Sequence, residues 1–476
     1  MMNDRIPPND DNKMTNASIP HALRSIASQE TAASVGEVRE APTTPRTLKG
    51  FRDLLPAQAE SKGEMLFQLE SIFRSFGFSK IETPHLEYAE GLLGQAGTEI
   101  NKQVYRFRDH GDRDVCLRFD LTVPFARYAV QHRNELGLPF KRYAIGNVFR
   151  GESPQAGRYR EFTQCDFDMV GAKTFGSSRA ADAEIVQVMI ASLEKLGLSE
   201  FKVHLNNRKI FNGLCEHLGI SDRAVQVLRA VDKIGKIGRD GVCAELDELG
   251  LSRSNSAVLL DFVSLSEGKN NSEVLAALAP YTDFGGIIKE GINEMVGIIG
   301  ILDSIPTLAR RYQVDLAIAR GLGYYTGVVF ETFVTGHENL GSVCSGGRYA
   351  NLASTFSKDP MPGVGASVGI DRLIAVMSQT STTPRPSTPA TVLVTIANDY
   401  QIGAAHSLAS ELRQEGFNVE CYPQVDKLGV QFSYATRRGH QFVLKLDDQN
   451  SWVITDMSNN QRRAIGSIKE IREVIS

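Results

Sequence analysis

No stretch of the 476 residues approaches the ~18 consecutive apolar residues of a membrane-spanning helix. Even the apolar run from Ile287 to Leu302 carries Lys289, Glu290, Asn293 and Glu294, so a helical membrane span is excluded. No charge of one sign dominates: 52 Lys plus Arg against 56 Asp plus Glu leave a net charge of −4. Wholesale attraction to nucleic acid is therefore not expected, and any polynucleotide must be met by local patches. Cysteine is sparse and unpatterned. Cys116, Cys165, Cys215, Cys243, Cys344 and Cys421 form no C-x-x-C pair and have no histidine at ligand spacing, which excludes a zinc module and points to thiols in a reducing compartment. A Walker A sequence is missing, and Gly321–Gly327 and Gly363–Gly369 miss the G-x-G-x-x-G spacing, so P-loop and Rossmann readings fail on their own motifs. None of the nine histidines has the context of a base or ligand, which removes the usual hydrolase and metal chemistries. The first 45 residues lack a signal peptide's apolar core, and their acidic residues count against an organelle presequence, so a cytoplasmic enzyme is the expectation.

What is present is an ordinary globular composition, 42% hydrophobic, long enough for two to four domains at ~100 to 200 residues each. Residues 1–45 read as a disordered tail rich in Asn, Ser, Thr and Pro. A second such stretch, with three prolines, makes 378–390 a linker between a large part, 46–377, and a C-terminal part, 391–476. In the large part a helical pattern through Leu66, Leu69, Phe73 and Phe76 leads into a strand ending at Pro84. Strands follow near 115–119, 142–150, 159–170, 314–320 and 327–333, interrupted by a helical insertion at about 205–305. The fold class expected is α+β: a mainly antiparallel sheet with flanking helices and a helical insertion, followed by a small α/β domain of βαβα order.

The segment Lys141–Gly171 reads as two strands joined by a polar loop, and period-two alternation puts Arg160, Phe162, Gln164, Asp166 and Asp168 on one face. Arg150 shares a face with Val148 and Gly146, and a hairpin would bring it near Gln164. A single charge on such a strand belongs by default to a solvated face. Several convergent ones beside an aromatic ring, with guanidinium groups suited to bidentate phosphate binding, point to a nucleotide site built without a P-loop. Arg320 ends an apolar strand face before a Gly-x-Gly turn, Tyr324 and Tyr325 follow, and Ser345–Tyr349 holds paired glycines that permit close backbone approach.

At these residues the sequence resembles the histidyl-tRNA synthetases, a family of class II aminoacyl-tRNA synthetases, from about Thr47 to Ser476. Lys49–Pro56 is similar to the family's entry segment, the helix and strand ending at Pro84 to motif 1, and Leu117–Arg127 to the following block. Arg150–Asp168 resembles motif 2 and Gly363–Leu373 motif 3. Ala319–Gly327 and Ser345–Tyr349 resemble the two signatures particular to the histidine enzymes. The resemblance implies ATP-dependent activation of histidine to histidyl adenylate and its transfer to tRNA(His), with Mg2+ assisting. By position it implies Arg150 and Arg320 as catalytic residues on the α-phosphate, Glu152 at the nucleotide edge, Phe162 and Arg372 on the adenine faces, and Arg158 and Arg160 on the triphosphate. Glu87 and Gln164 would take the α-amino group, and Asp168, Tyr325 and Tyr349 the imidazole. No metal-binding residues are implied. Gly323 and Ala350 stand where many members carry Asp. The C-terminal part, with nine basic and ten acidic residues over 391–476, gains anticodon contact only through the resemblance. A homodimer is expected through the motif 1 helix, whose apolar face exceeds one sheet contact. Two alternatives stay open: a histidine-sensing regulatory paralogue, and an adenylating paralogue that histidylates something other than tRNA.

Overall fold

The computed structural model describes residues 43–93, 98–155, 157–318, 324–380, 386–447 and 449–475. Thr47–Ser476 form one compact unit, and of the unit before it, Met1–Arg46, only residues 43–46 are described, without regular structure. The reading of a disordered tail at 1–45 thus falls almost wholly outside the described residues, and of the linker read at 378–390 residues 381–385 lie outside them while 378–380 close the helix Ile370–Thr380.

Eight strands build the main sheet, in the spatial order Ser79–Lys80, Phe140–Phe149, Glu161–Val170, Gly363–Gly369, Cys344–Tyr349, Val328–Val334, Phe201–Asn207 and Tyr312–Val314. The two outermost pairings are parallel and the rest antiparallel, as the sequence leads one to expect. The strand expected to end at Pro84 is only Ser79–Lys80, since proline cannot extend the ladder. The strand expected at 314–320 lies earlier, at Tyr312–Val314.

Alternation along Glu161–Val170 sorts the two faces. Cys165, Phe167 and Met169 point into the large core beneath the helices Pro56–Ser75 and Arg179–Lys195, where Phe73 packs 5.0 Å from Phe167 and 5.5 Å from Tyr143, ring centroid to centroid. The other face meets the helix Thr122–Gln131, burying Phe125, Ala144 and Val148 with Tyr349. Of the helix face, Leu69 and Phe73 are buried in the chain's own core, and Leu66 and Phe76 are half-buried against it. The apolar side chains exposed there are instead Leu55 and Phe67, 70% and 73% accessible.

The insertion is helical, from Arg208–His217 through Gly286–Asp303, and lies between the strands Phe201–Asn207 and Tyr312–Val314. Its starts are written locally: Asn207, Ser252 and Asn270 each accept a backbone N–H as N-cap, Asn270 with Glu273 as a capping box. Ile288, Ile292, Met295, Ile299 and Leu302 are buried along one stripe of the last helix.

The C-terminal residues form a five-stranded sheet in the order Val419–Cys421, Val392–Val394, Phe442–Leu446, Trp452–Asp456, Arg462–Ile465. The first three strands are parallel, matching the βαβα reading, and the last two add antiparallel pairs.

Arg348 ties sheet to helix. Its guanidinium lies 2.6 Å from Asp182 at the start of Arg179–Lys195 and also donates to the carbonyls of Phe175 and Ser178, with both charged groups buried. Arg348→Ala would leave Asp182 buried without its partner and is expected to lower stability by about 3–5 kcal/mol, read from denaturant unfolding. A loss below about 1 kcal/mol, the range of surface pairs, would contradict the buried-pair account.

Candidate active site

The long hairpin pairs Phe140–Phe149 with Glu161–Val170 in the register Gly146 opposite Gln164, Ala144 opposite Asp166 and Arg142 opposite Asp168. Arg150, one residue past the ladder, donates its N–H to the Arg160 carbonyl, so it lies beside Phe162 rather than opposite Gln164. The hairpin loop tightens through Gln155 and Arg158, where Gly157 takes φ +71°, a conformation that glycine adopts without strain, and approaches the Arg372 side chain.

Between this hairpin and the strand Gly363–Gly369 lies a cavity of about 240 Å³. Of the residues singled out from the sequence, Arg150, Glu152, Arg158, Phe162, Gln164, Asp168, Tyr325 and Arg372 line it together. Glycines make the room. Gly365 sits opposite Asp168, and a Cβ there would come within 2.2 Å of the Asp168 carboxylate, while one on Gly346 would meet the Gly365 carbonyl at 2.1 Å. Gly365→Ala is therefore expected to displace Asp168 and raise KM for the substrate held at this end of the cavity at least tenfold, about 1.4 kcal/mol of lost binding, in a titration of turnover with that substrate. An unchanged KM would mean Asp168 does not set the floor of the pocket.

The cavity is cationic at one end and acidic at the other. At the first end the Arg150 guanidinium lies 4.3 Å from the Phe119 ring and 5.0 Å from the Phe162 ring, with Nε donating to Phe119 O. Arg158 meets Glu152 at 3.7 Å, and Arg372 donates to the Ser342 carbonyl. Burial, together with the charges of Arg158 and Arg150, lowers Arg372 below the usual guanidinium range. Like charges held this close favour a bound polyanion.

At the other end Asp166 and Asp168 are buried, and burial raises both carboxyls while Arg142 pulls them back down. Arg142 is itself fully buried, 2.7 Å from Asp168 and 3.9 Å from Asp166, with Phe125 4.4 Å from its guanidinium. The Tyr349 hydroxyl donates to Asp168 at 3.0 Å, so Tyr349 acts from behind the cavity wall rather than lining it. Gln164 donates to Ser367, and its buried Oε1 accepts no hydrogen bond among the described residues. Two carboxylates and an amide oxygen form an acceptor cluster for N–H groups.

Two predicted residues stand elsewhere. Arg160 turns away and donates to the Glu152 and Lys49 carbonyls, with Gly50 packed against its stem, so it anchors the entry segment. Glu87 forms a two-bonded pair with Arg127 at 2.8 and 2.9 Å and borders a separate cavity of about 390 Å³. The pair is fork-to-fork, one guanidinium nitrogen to each carboxylate oxygen. Arg320 lies outside the described residues.

Sequence reasoning passed over Arg142, Thr122 and Asp371. Arg142 was reachable, since continuing the alternation from Arg150 through Gly146 arrives at it. Asp371 gave no local signal. One of its oxygens accepts the Thr163 N–H at 2.7 Å, and the other pairs with Arg52 and with Lys62 at 3.3 Å, partners 319 and 309 residues away in the chain.

Such a cavity suits a substrate with a polyanionic end and a second with N–H donors, meeting where the ends join. The family model for histidyl-tRNA synthetase matches residues 50–373, and that for an anticodon binding domain matches 391–473. A histidine–tRNA ligase of Wolinella succinogenes is 47% identical over 441 residues, covering 92% of this chain and 99% of its own. Another, from Helicobacter pylori, is 48% identical over 408 residues, covering 85% and 91%. Among solved structures, a histidyl-tRNA synthetase from Nostoc sp. PCC 7120 aligns with a TM-score of 0.81 at 32% identity, over 91% of this chain and 99% of that one.

Proposed function

The chain belongs to the histidyl-tRNA synthetase family, and from that premise we propose how its residues divide the reaction. It is a ligase that activates histidine with ATP and charges tRNA(His). The observation that carries the residue roles is the two-ended cavity, with Arg150, Arg158 and Arg372 at one end and Asp166, Asp168 and Gln164 at the other.

In this reading ATP enters the cationic end. Adenine lies between Phe162 and Arg372 with Glu152 at its edge, Arg158 faces the outer phosphates, and Arg150 holds the α-phosphate. The histidine ammonium takes the free acceptor of Gln164. The imidazole meets Asp168, held by Arg142 and Tyr349, with Tyr325 beside it. Reading a ring N–H with a buried carboxylate rejects analogues that lack it far better than size can. A histidine carboxylate oxygen then attacks the α-phosphorus, the bond to pyrophosphate breaks, and the adenylate remains. In the second step a hydroxyl of the terminal tRNA ribose attacks the activated carbonyl and AMP leaves. The chain needs no nucleophile of its own, so catalysis rests on positioning and on cations where charge develops. Arg320 keeps its proposed part on the α-phosphate by resemblance.

Mg2+ bound to ATP is held mainly by phosphates and water with one or two protein carboxylates. Glu152, in the cavity wall beside Arg158, would hold it, and it would neutralise charge on the phosphate oxygens. We divide the chain into a catalytic part at 46–377 and an anticodon-binding part at 391–476. A cytoplasmic setting suits six free thiols. No helix among the described residues is long and apolar enough to cross a membrane.

Histidine-dependent ATP–pyrophosphate exchange, followed by charging of tRNA(His), tests the assignment. Failure of both would favour the histidine-sensing paralogue, and failure of charging alone the non-tRNA paralogue. A homodimer is proposed through the exposed Leu55 and Phe67 of the first helix region together with Leu86, Tyr88 and Phe107. Sedimentation should give twice the chain mass, and a stable, active monomer would defeat it.

A further inference from the structure

The strand Phe201–Asn207 lies between Tyr312–Val314, to which it is parallel, and Val328–Val334, to which it is antiparallel. The described ends of the connection from Val314 to Val328, residues 315–318 and 324–327, meet the end of this strand, and the second end carries Tyr325 to the cavity. The three residues at that strand end bind both of these ends. Asn206, buried, donates from Nδ2 to the carbonyls of Leu316 at 3.2 Å and Ile318 at 3.0 Å. Arg208 donates from Nη1 to the Tyr325 carbonyl at 3.0 Å and from its backbone N–H to Gly327 O at 2.9 Å. Asn207, fully buried between them, anchors the group: its amide donates to Glu294 at 2.7 Å on the insertion helix Gly286–Asp303, and Glu294 also meets Lys209 at 2.7 Å.

From this juxtaposition we infer that Asn206 and Arg208 are positioning residues for histidine activation, clamping residues 316–318 and 325–327 to the strand end so that the Tyr325 ring is set against the histidine end of the cavity. Neither side chain is among the residues that line that cavity. Both act through main-chain carbonyls, which a substitution in the tyrosines themselves leaves in place. The clamp rests on the proposed reading of Tyr325 as part of the histidine pocket. It also makes the insertion helix, through Glu294 and Asn207, a support of that pocket rather than an independent module.

The test uses the full-length enzyme and separates histidine from ATP kinetics in pyrophosphate exchange. Misplacing a reacting group by about 1 Å costs on the order of 10²-fold. Arg208→Met and Asn206→Leu are each expected to lower kcat/KM for histidine about 10- to 100-fold while KM for ATP stays within about twofold. Arg208→Lys, which keeps one donor and the charge, should recover part of the loss without recovering all of it. Should Arg208→Met prove unstable, the Arg208→Lys and Asn206→Asp variants carry the same comparison, the latter keeping shape while removing the donor. Equal losses toward histidine and ATP, or losses that merely track melting temperature, would reduce Asn206 and Arg208 to ordinary structural residues and overturn the clamp. Tyr325→Phe is measured alongside. If it leaves histidine kinetics untouched, the pocket reading fails and the clamp with it. If it impairs histidine while the Arg208 and Asn206 variants do not, only the clamp fails.

Discussion

Arg150→Ala should fold with near-normal melting and lose histidine-dependent pyrophosphate exchange by about 10² to 10³, the loss of ~2.7 to 4 kcal/mol seen when one donor to developing charge is removed. Its surroundings set this expectation. The guanidinium lies beside the Phe119 and Phe162 rings and uses one donor, Nε, on the Phe119 carbonyl. It lines the cavity on the hairpin, next to Arg158 and Arg372. A residue serving mainly packing would instead lose stability and keep turnover. Arg150→Lys should rescue only partly, because an ammonium lacks the fixed fork that spans two phosphate oxygens. Exchange above about a third of wild type, far short of the expected loss, would remove Arg150 from the reaction.

Asp168→Ala is expected to harm stability and specificity together. Removing the carboxylate strands the fully buried Arg142 guanidinium, 2.7 Å away, and deprives the Tyr349 hydroxyl of its acceptor. Breaking a buried pair on one side costs about 3–5 kcal/mol, whereas replacing both partners by apolar groups is often neutral. The double variant Arg142→Met with Asp168→Leu should therefore recover much of the denaturation midpoint while histidine activation stays abolished. That divergence separates the two roles of the carboxylate. A single variant as stable as wild type would show Arg142 to be compensated elsewhere. Restored histidine activation in the double variant would show that the imidazole is read by another group.

How far the site was legible depends on the range of each interaction. Alternation along Glu161–Val170 needs only neighbouring residues, and it placed Phe162, Gln164, Asp166 and Asp168 on the face that forms the cavity. The paired glycines of 345–349 announced a close backbone approach, and the structure puts Gly346 against the Gly365 carbonyl. Helix starts at Asn207, Ser252 and Asn270 are likewise local, since a cap bonds within three residues.

The sequence by itself therefore determined which face each strand presents, the mainly antiparallel sheet with its helical insertion, and the family to which its motifs belong. Tertiary structure decided the partners. Arg160 shares the alternating face with Phe162 but is drawn to Glu152 and Lys49, because a long side chain at a strand end can turn to either side. Glu87 is taken by Arg127, and Asp371 by Arg52 and Lys62. The strands Trp452–Asp456 and Arg462–Ile465 escaped notice as well, the second an edge strand exposed along most of its length. Backbone periodicity fixes direction within a few residues. Charge pairing acts through space between segments far apart in the chain, and it has no sequence signature until the fold brings those segments together.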